Sequence, residues 1–129
     1  MIKLLNRVIE WTDTSMNYEA DQRHADIIVQ GLGLSGESRG LSTTGEVGAT
    51  KDSPALDGPQ ATQFRALAAR ANYLSQDRSD IQFAVKQICK GMSAPTVAHW
   101  ALLKRLGRYL IHHRRCVCSF DYQGPVSEV

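Results

Sequence analysis

Three stripes of apolar residues at helical spacing occupy the second half of the sequence and leave few choices of fold. Phe64, Leu67, Ala68, Ala71 and Leu74 recur at intervals of three and four, which places them on one face of a helix from about Gln60 to Gln76. Ile81, Ala84, Val85, Ile88 and Met92 form a second stripe, with Asp80 or Ser79 placed to cap it and Gly91 to help end it. Ser93, Ala94 and Pro95 make a break. Thr96 then stands as an N-cap for a third helix, Val97 to about His112, whose apolar side carries Leu102, Leu103, Leu106 and Leu110. Stripes of this kind must be covered, so the three helices are expected to pack together.

Upstream the signals are shorter. Leu4 to Trp11 is rich in β-forming residues, Thr12 to Asn17 is a polar turn cluster and Tyr18 begins a second run, which together predict a β-hairpin. Asp21 stands where an N-cap belongs, Ala25, Ile28, Val29 and Leu32 follow at helical spacing, and Gly31 and Gly33 provide a stop. From Ser35 to Gly58 the composition shifts to Gly, Ser, Thr and Pro without any period, the pattern of a flexible linker. Cys116 to Tyr122 alternates like a strand and needs a sheet to join. The expected class is therefore mainly α. Residues 1–34 form a hairpin and short helix, 35–58 a linker, 59–113 a three-helix unit, and 114–129 a terminal strand and tail whose exposed edge gives it the look of a cut piece.

Composition narrows the functional classes. At 129 residues and 43% hydrophobic the chain suffices for one modest core, and a net charge of +2 implies no polyanion partner by itself. Three cysteines, Cys89, Cys116 and Cys118, cannot all pair within the chain, and no signal peptide stands at the N-terminus, so a reducing, intracellular setting is expected, cytoplasmic or nuclear. No apolar run approaches the roughly 20 residues of a membrane span, and no lipidation signal is present, so membrane roles are set aside.

The candidate sites are weighed against plainer readings. On the third helix Lys104, Arg105, Arg108 and His112 fall along one side. With Arg114 and Arg115 they make a basic strip able to follow a phosphate backbone without regard to base sequence. The plainer alternative is solvation of the outer face and compensation of the helix dipole. Trp100 and Tyr109 could stack on bases, but core packing is favoured. Asp77 and Asp80, paired carboxylates between two helices, read as caps rather than as a general acid and base, because no His, Cys or Lys is assembled with them. Asp21 with His24, His112 with His113, and Cys116 with Cys118 are each too incomplete for a metal site. No strand feeds Gly31-x-Gly33 or the Gly36 to Gly48 region and no Lys-Ser or Lys-Thr follows, which argues against a nucleotide loop.

Several short motifs recur in order: Phe64-Arg65-Ala66-Leu67 through Tyr73-Leu74, Asp77-Arg78-Ser79-Asp80-Ile81 with Phe83-Ala84-Val85, then Met92, Pro95-Thr96 with His99-Trp100, and Leu103-Lys104-Arg105 with Arg108-Tyr109-Leu110. The series resembles the Pol polyprotein of copia-type LTR retrotransposons, over about residues 60 to 111. Tyr18-Glu19-Ala20-Asp21 with Arg23-His24 adds a weaker likeness. The family usually has Arg-Pro-Asp where this chain has Arg78-Ser79-Asp80. The resemblance implies a segment between the polymerase palm and the ribonuclease H domain, serving as thumb and connection. The family's aromatic residue followed by two aspartates is absent, as is the ribonuclease H acidic cluster, so no catalytic residue and no cofactor is expected here. The parent RNA-directed DNA polymerase would hold a divalent metal such as Mg with carboxylates. The implied role is a non-catalytic fragment supporting reverse transcription by holding RNA–DNA or DNA duplex, with the parent's palm and ribonuclease H domains as neighbours. The alternative is a decayed remnant of the transposable element, or a helical interaction module, with no nucleic-acid role.

Overall fold

The computed structural model of the chain describes residues 1–35, 40 and 53–124. These form four helices and one four-stranded antiparallel sheet, grouped into two compact units: Met1–Asp21 with the chain from Arg115 onward, and Gln22–Arg114. Most of the segment read as a linker lies outside the described residues.

In the first unit, β1 (Ile2–Leu4), β2 (Arg7–Trp11), β3 (Ser15–Glu19) and β4 (Val117–Asp121) lie side by side in that order. The expected single run from Leu4 to Trp11 is corrected here: Leu5 and Asn6, at φ 51° and 63°, reverse the chain in a two-residue loop between Leu4 and Arg7. Left-handed backbone at both loop positions suits the twist of a tight hairpin but normally recruits Asn and Gly, so a leucine there hid the turn. The next turn is shorter than the polar cluster suggested. The Thr12 N–H and hydroxyl donate to the Ser15 carbonyl at 2.8 and 3.0 Å, and the Ser15 N–H donates back to the hydroxyl at 3.0 Å, so the strand resumes at Ser15. The strand read near the C-terminus finds its sheet by pairing with β3, from Glu19 opposite Val117 to Ser15 opposite Asp121. Helices still make up about half of the described residues, but the β part is one sheet rather than a hairpin and a separate strand.

In the second unit, α1 (Arg23–Gly31), α2 (Gly58–Ser75), a 3-10 turn at Ser79–Ile81, α3 (Gln82–Cys89) and α4 (Val97–His112) bury the stripes seen in the sequence. Ile28, Phe64, Ala68, Ala71, Ile81, Leu103, Leu106 and Leu110 are fully enclosed, whereas Met92 and Leu102 are only half-buried. The short helix belongs to this unit, packing against α2 and α4, so four helices share the core instead of three. Two glycines stand where these helices touch. A Cβ at Gly31 would meet Leu67 Cδ2 at 2.7 Å, and one at Gly107 would meet Leu32 Cδ1 at 2.6 Å.

The helix ends differ from expectation in places. At the start of α1, Gln22 has helical torsions and its side chain makes no capping hydrogen bond, and the buried Asp21 stands immediately before it. The helix ends as foreseen at Gly33, whose φ of +71° completes a Schellman motif: Gly33 N–H donates to Gln30 O at 3.0 Å and Leu34 N–H to Val29 O at 3.1 Å. Helix α2 begins earlier than the apolar stripe indicates, capped by Asp57, which accepts the Gln60 N–H at 2.8 Å, with Pro59 in the first turn.

Nothing lies within 4 Å of where a Gly33 Cβ would be, so its replacement has a purely conformational cost. Gly33→Ala should lower unfolding stability by about 1 kcal/mol in a urea titration, with an unchanged m-value.

Candidate nucleic-acid interface

Helix α4 carries most of the basic residues of interest, and the chain fixes it at both ends. At its N-terminus the backbone donors would otherwise lack helical partners. Val97 N–H donates to Pro54 O at 2.9 Å, Ala98 N–H to Ser53 Oγ at 3.0 Å, and His99 N–H to Thr96 Oγ1 at 3.4 Å. Thr96 is thus the expected cap. Its own N–H donates to His99 Nδ1 at 3.2 Å, closing a capping box. Burial lowers the His99 pKa, in keeping with a neutral ring that accepts at Nδ1.

The other end is held by Arg78. Its guanidinium is enclosed and donates to His113 O at 2.7 Å and Arg114 O at 3.2 Å, serving carbonyls left over where α4 stops. Asp80 completes the arrangement with a bidentate pair, accepting from Arg78 Nε at 3.0 Å and Nη2 at 2.6 Å, and it also accepts the Tyr109 hydroxyl at 2.8 Å. The Tyr109 ring stacks on His113, centroids 4.3 Å apart. Burial would raise the Asp80 carboxyl, but hydrogen bonds from Arg78 and Tyr109 and the Arg78 charge outweigh it and hold it below its ordinary value of 3.8. The expected cap is corrected: neither Ser79 nor Asp80 caps the turn or α3, because the Asp80 carboxylate is committed to Arg78 and Tyr109. Asp77 closes the end of α2 through its backbone, donating to Leu74 O at 3.1 Å.

Between these ends, Lys104, Arg105, Arg108 and His112 span an arc of roughly 100° on the side opposite Leu103, Leu106 and Leu110, given a turn of about 100° per residue. Lys104, Arg105 and Arg108 are half-buried, and His112 is exposed. Among the described residues these three cations make no ion pair, and Arg105 Nε is shielded from solvent without a hydrogen-bond partner. Other arginines are engaged. Arg65 donates to Met92 O at 2.8 Å and Ser93 O at 3.3 Å, and Arg70 Nη1 lies 3.1 Å from His24 Nδ1.

The two residues meant to lengthen the basic strip are also engaged. Arg114 pairs with Asp26 at 3.2 Å, both about half exposed. Arg115 belongs to the sheet unit, where it makes a bidentate pair with the buried Glu19 at 2.7 and 2.8 Å. Tyr109 is buried and its hydroxyl occupied, whereas Trp100 is half-buried one turn before Lys104. Among the described residues no group of three or more His, Cys, Asp or Glu could hold a metal, no disulfide forms, and no helix is long and apolar enough to cross a membrane.

Sequence comparison finds relatives for part of the chain. Over 52 residues, 40% of its length, it is 38% identical to the retrovirus-related Pol polyprotein from transposon RE2 of Arabidopsis thaliana. This part of the chain is similar to retrotransposon Pol. An uncharacterized mitochondrial protein of the same plant is 40% identical, also over 52 residues. The match takes in 4% of the Pol polyprotein and 22% of the mitochondrial protein, so the matched stretch is a small part of either. No protein-family profile and no solved structure matches it.

Arg78 and Asp80 have a role that spacing alone did not disclose. Arg78→Met should cost about 3 kcal/mol in chemical unfolding, since it leaves Asp80 and the carbonyls at the end of α4 without their donor. Because the folded Asp80 has a lowered pKa, its contribution is present above the ordinary carboxylate value and is lost as pH falls through the folded one. Thermal melts from pH 6 to pH 2 should therefore show a smaller acid-induced loss of stability in Asp80→Asn than in the parent.

Proposed function

We propose that this chain acts as a non-catalytic part of a retrotransposon Pol polyprotein, supporting RNA-directed DNA synthesis by holding template–primer duplex on the outer face of α4. Lys104, Arg105 and Arg108 are the phosphate contacts, and His112 extends the same arc. The observation that carries this reading is the division of labour among the cations. Arg65, Arg78, Arg114 and Arg115 are bound to carbonyls or carboxylates, whereas the three on the arc have no carboxylate among the described residues. Cations left in that state beside a rigid helix suit a polyanion, and contacts to phosphate would hold duplexes of any sequence. The parent's palm and ribonuclease H domains would be the neighbours, in the cytoplasm or nucleus. The divalent metal, such as Mg, would belong to the parent's polymerase carboxylates, to which this chain contributes none.

The test is binding of the purified chain to an RNA–DNA hybrid across a salt titration. Three phosphate contacts would give a slope of about −3 in log affinity against log salt concentration. Arg108→Glu should weaken binding at low salt and flatten that slope by about one, with unchanged helix content by circular dichroism. Unchanged affinity in this variant would remove the reading, and an absence of binding at low salt would favour a structural remnant.

A further inference from the structure

The sheet has two unlike faces. Ile2, Ile9, Tyr18 and Cys118 lie in register across all four strands and therefore share one face. One step along the strands, Trp11, Met16 and Phe120 are again in register on that face, and Leu4 stands beside Ile2 at its other end. The only charge among these strand positions is Arg7, at the start of β2 opposite Leu4. The reverse face is mainly polar, with Lys3, Glu10, Asn17, Ser119 and Asp121 beside the buried Ser15 and Glu19, and Val8 and Val117 are its apolar members. A small antiparallel sheet is stable when its apolar face is covered. Here none of the apolar-face positions is buried: Ile2 is 51% exposed, Leu4 57%, Trp11 50% and Phe120 56%, with Ile9, Met16, Tyr18 and Cys118 half-buried.

We propose that this face is an interface between two copies of the chain, packed sheet on sheet. Size is the first argument. A large aromatic side chain can bury roughly 150–250 Å², so half-exposed Trp11 and Phe120 together with the surrounding aliphatic residues offer on the order of 500–700 Å². That is at or above the largest patch an ordinary monomer leaves uncovered and approaches the ~800 Å² per partner of a standard interface. Self-complementarity is the second. Two apolar sheet faces packed about 10 Å apart cover each other at once, and a two-fold contact needs the same surface from both partners. The row Trp11–Met16–Phe120 supplies aromatic anchors of the kind that dominate such interfaces. This inference is independent of the nucleic-acid reading, since α4 takes no part in it.

Sedimentation velocity of the full chain from about 1 to 200 μM tests it. The expected result is a reversible monomer–dimer equilibrium that Trp11→Asp weakens at least tenfold, while Ser119→Asp on the reverse face leaves it unchanged. Phe120→Asp provides a second disruption should the first variant fail to fold. The unsubstituted chain offers a further readout, as acrylamide quenching of its tryptophan fluorescence should decline with concentration when Trp11 is covered. A single monomeric species throughout the range would overturn the proposal. So would self-association that persists undiminished in a natively folded Trp11→Asp or Phe120→Asp variant.

Discussion

The guanidinium of Arg78 is the contact on which the helical unit depends. A charge so fully enclosed is tolerable only when its donors are met, and here a carboxylate and two main-chain carbonyls meet them. The arrangement links three separate pieces of chain: the turn after α2, the last turn of α4 through Tyr109, and the segment that leaves α4. It also explains why Arg78 and Asp80 are spaced as they are. Arg78 flanks the start of the 3-10 turn and Asp80 is its middle residue, so the two side chains meet, and the intervening Ser79 occupies a first-turn position that proline could also fill.

This contact also separates two uses of positive charge that composition merges. An arginine that serves carbonyls strengthens the fold and offers little to a ligand. A lysine or arginine on an outer helical arc does the reverse. The net charge of the chain is small, yet Lys104, Arg105 and Arg108 are concentrated on one helix while the neighbouring arginines are engaged internally. Local arrangement, more than total charge, therefore sets what this surface can attract.

The helical core was legible because a 3.6-residue period is written along the chain itself, and each buried stripe, from Ala25 to Leu110, could be read without knowing its partner. What remained hidden depended on partners distant in sequence or on unusual local chemistry. Leu5 gives no hint of left-handed backbone. Asp80 has the appearance of a cap until Arg78 and Tyr109 are seen around it. Arg115 reads as part of a basic strip, whereas its guanidinium reaches Glu19, 96 residues away in the chain. Alternation along the strands was visible, but the cross-strand register that gathers Trp11, Met16 and Phe120 was not, because register is a property of pairs. The Asp57 cap was within reach of the sequence, since an aspartate followed by Pro59 is an ordinary helix start.

The two stoppers of α4 come from residues far from the helix they close: Ser53 is 45 positions before Ala98, and Arg78 is 35 before His113. Closing loops of that length costs entropy before the contacts are gained, so both ends of α4 are secured only when distant segments are in place. The same wiring couples its fraying to the loss of the whole unit. Opening either end requires releasing a distant segment, which favours cooperative unfolding over local melting. The outer arc of α4 is therefore presented as a fixed surface only by the fully assembled unit, and a partly folded chain would have the charges without their geometry.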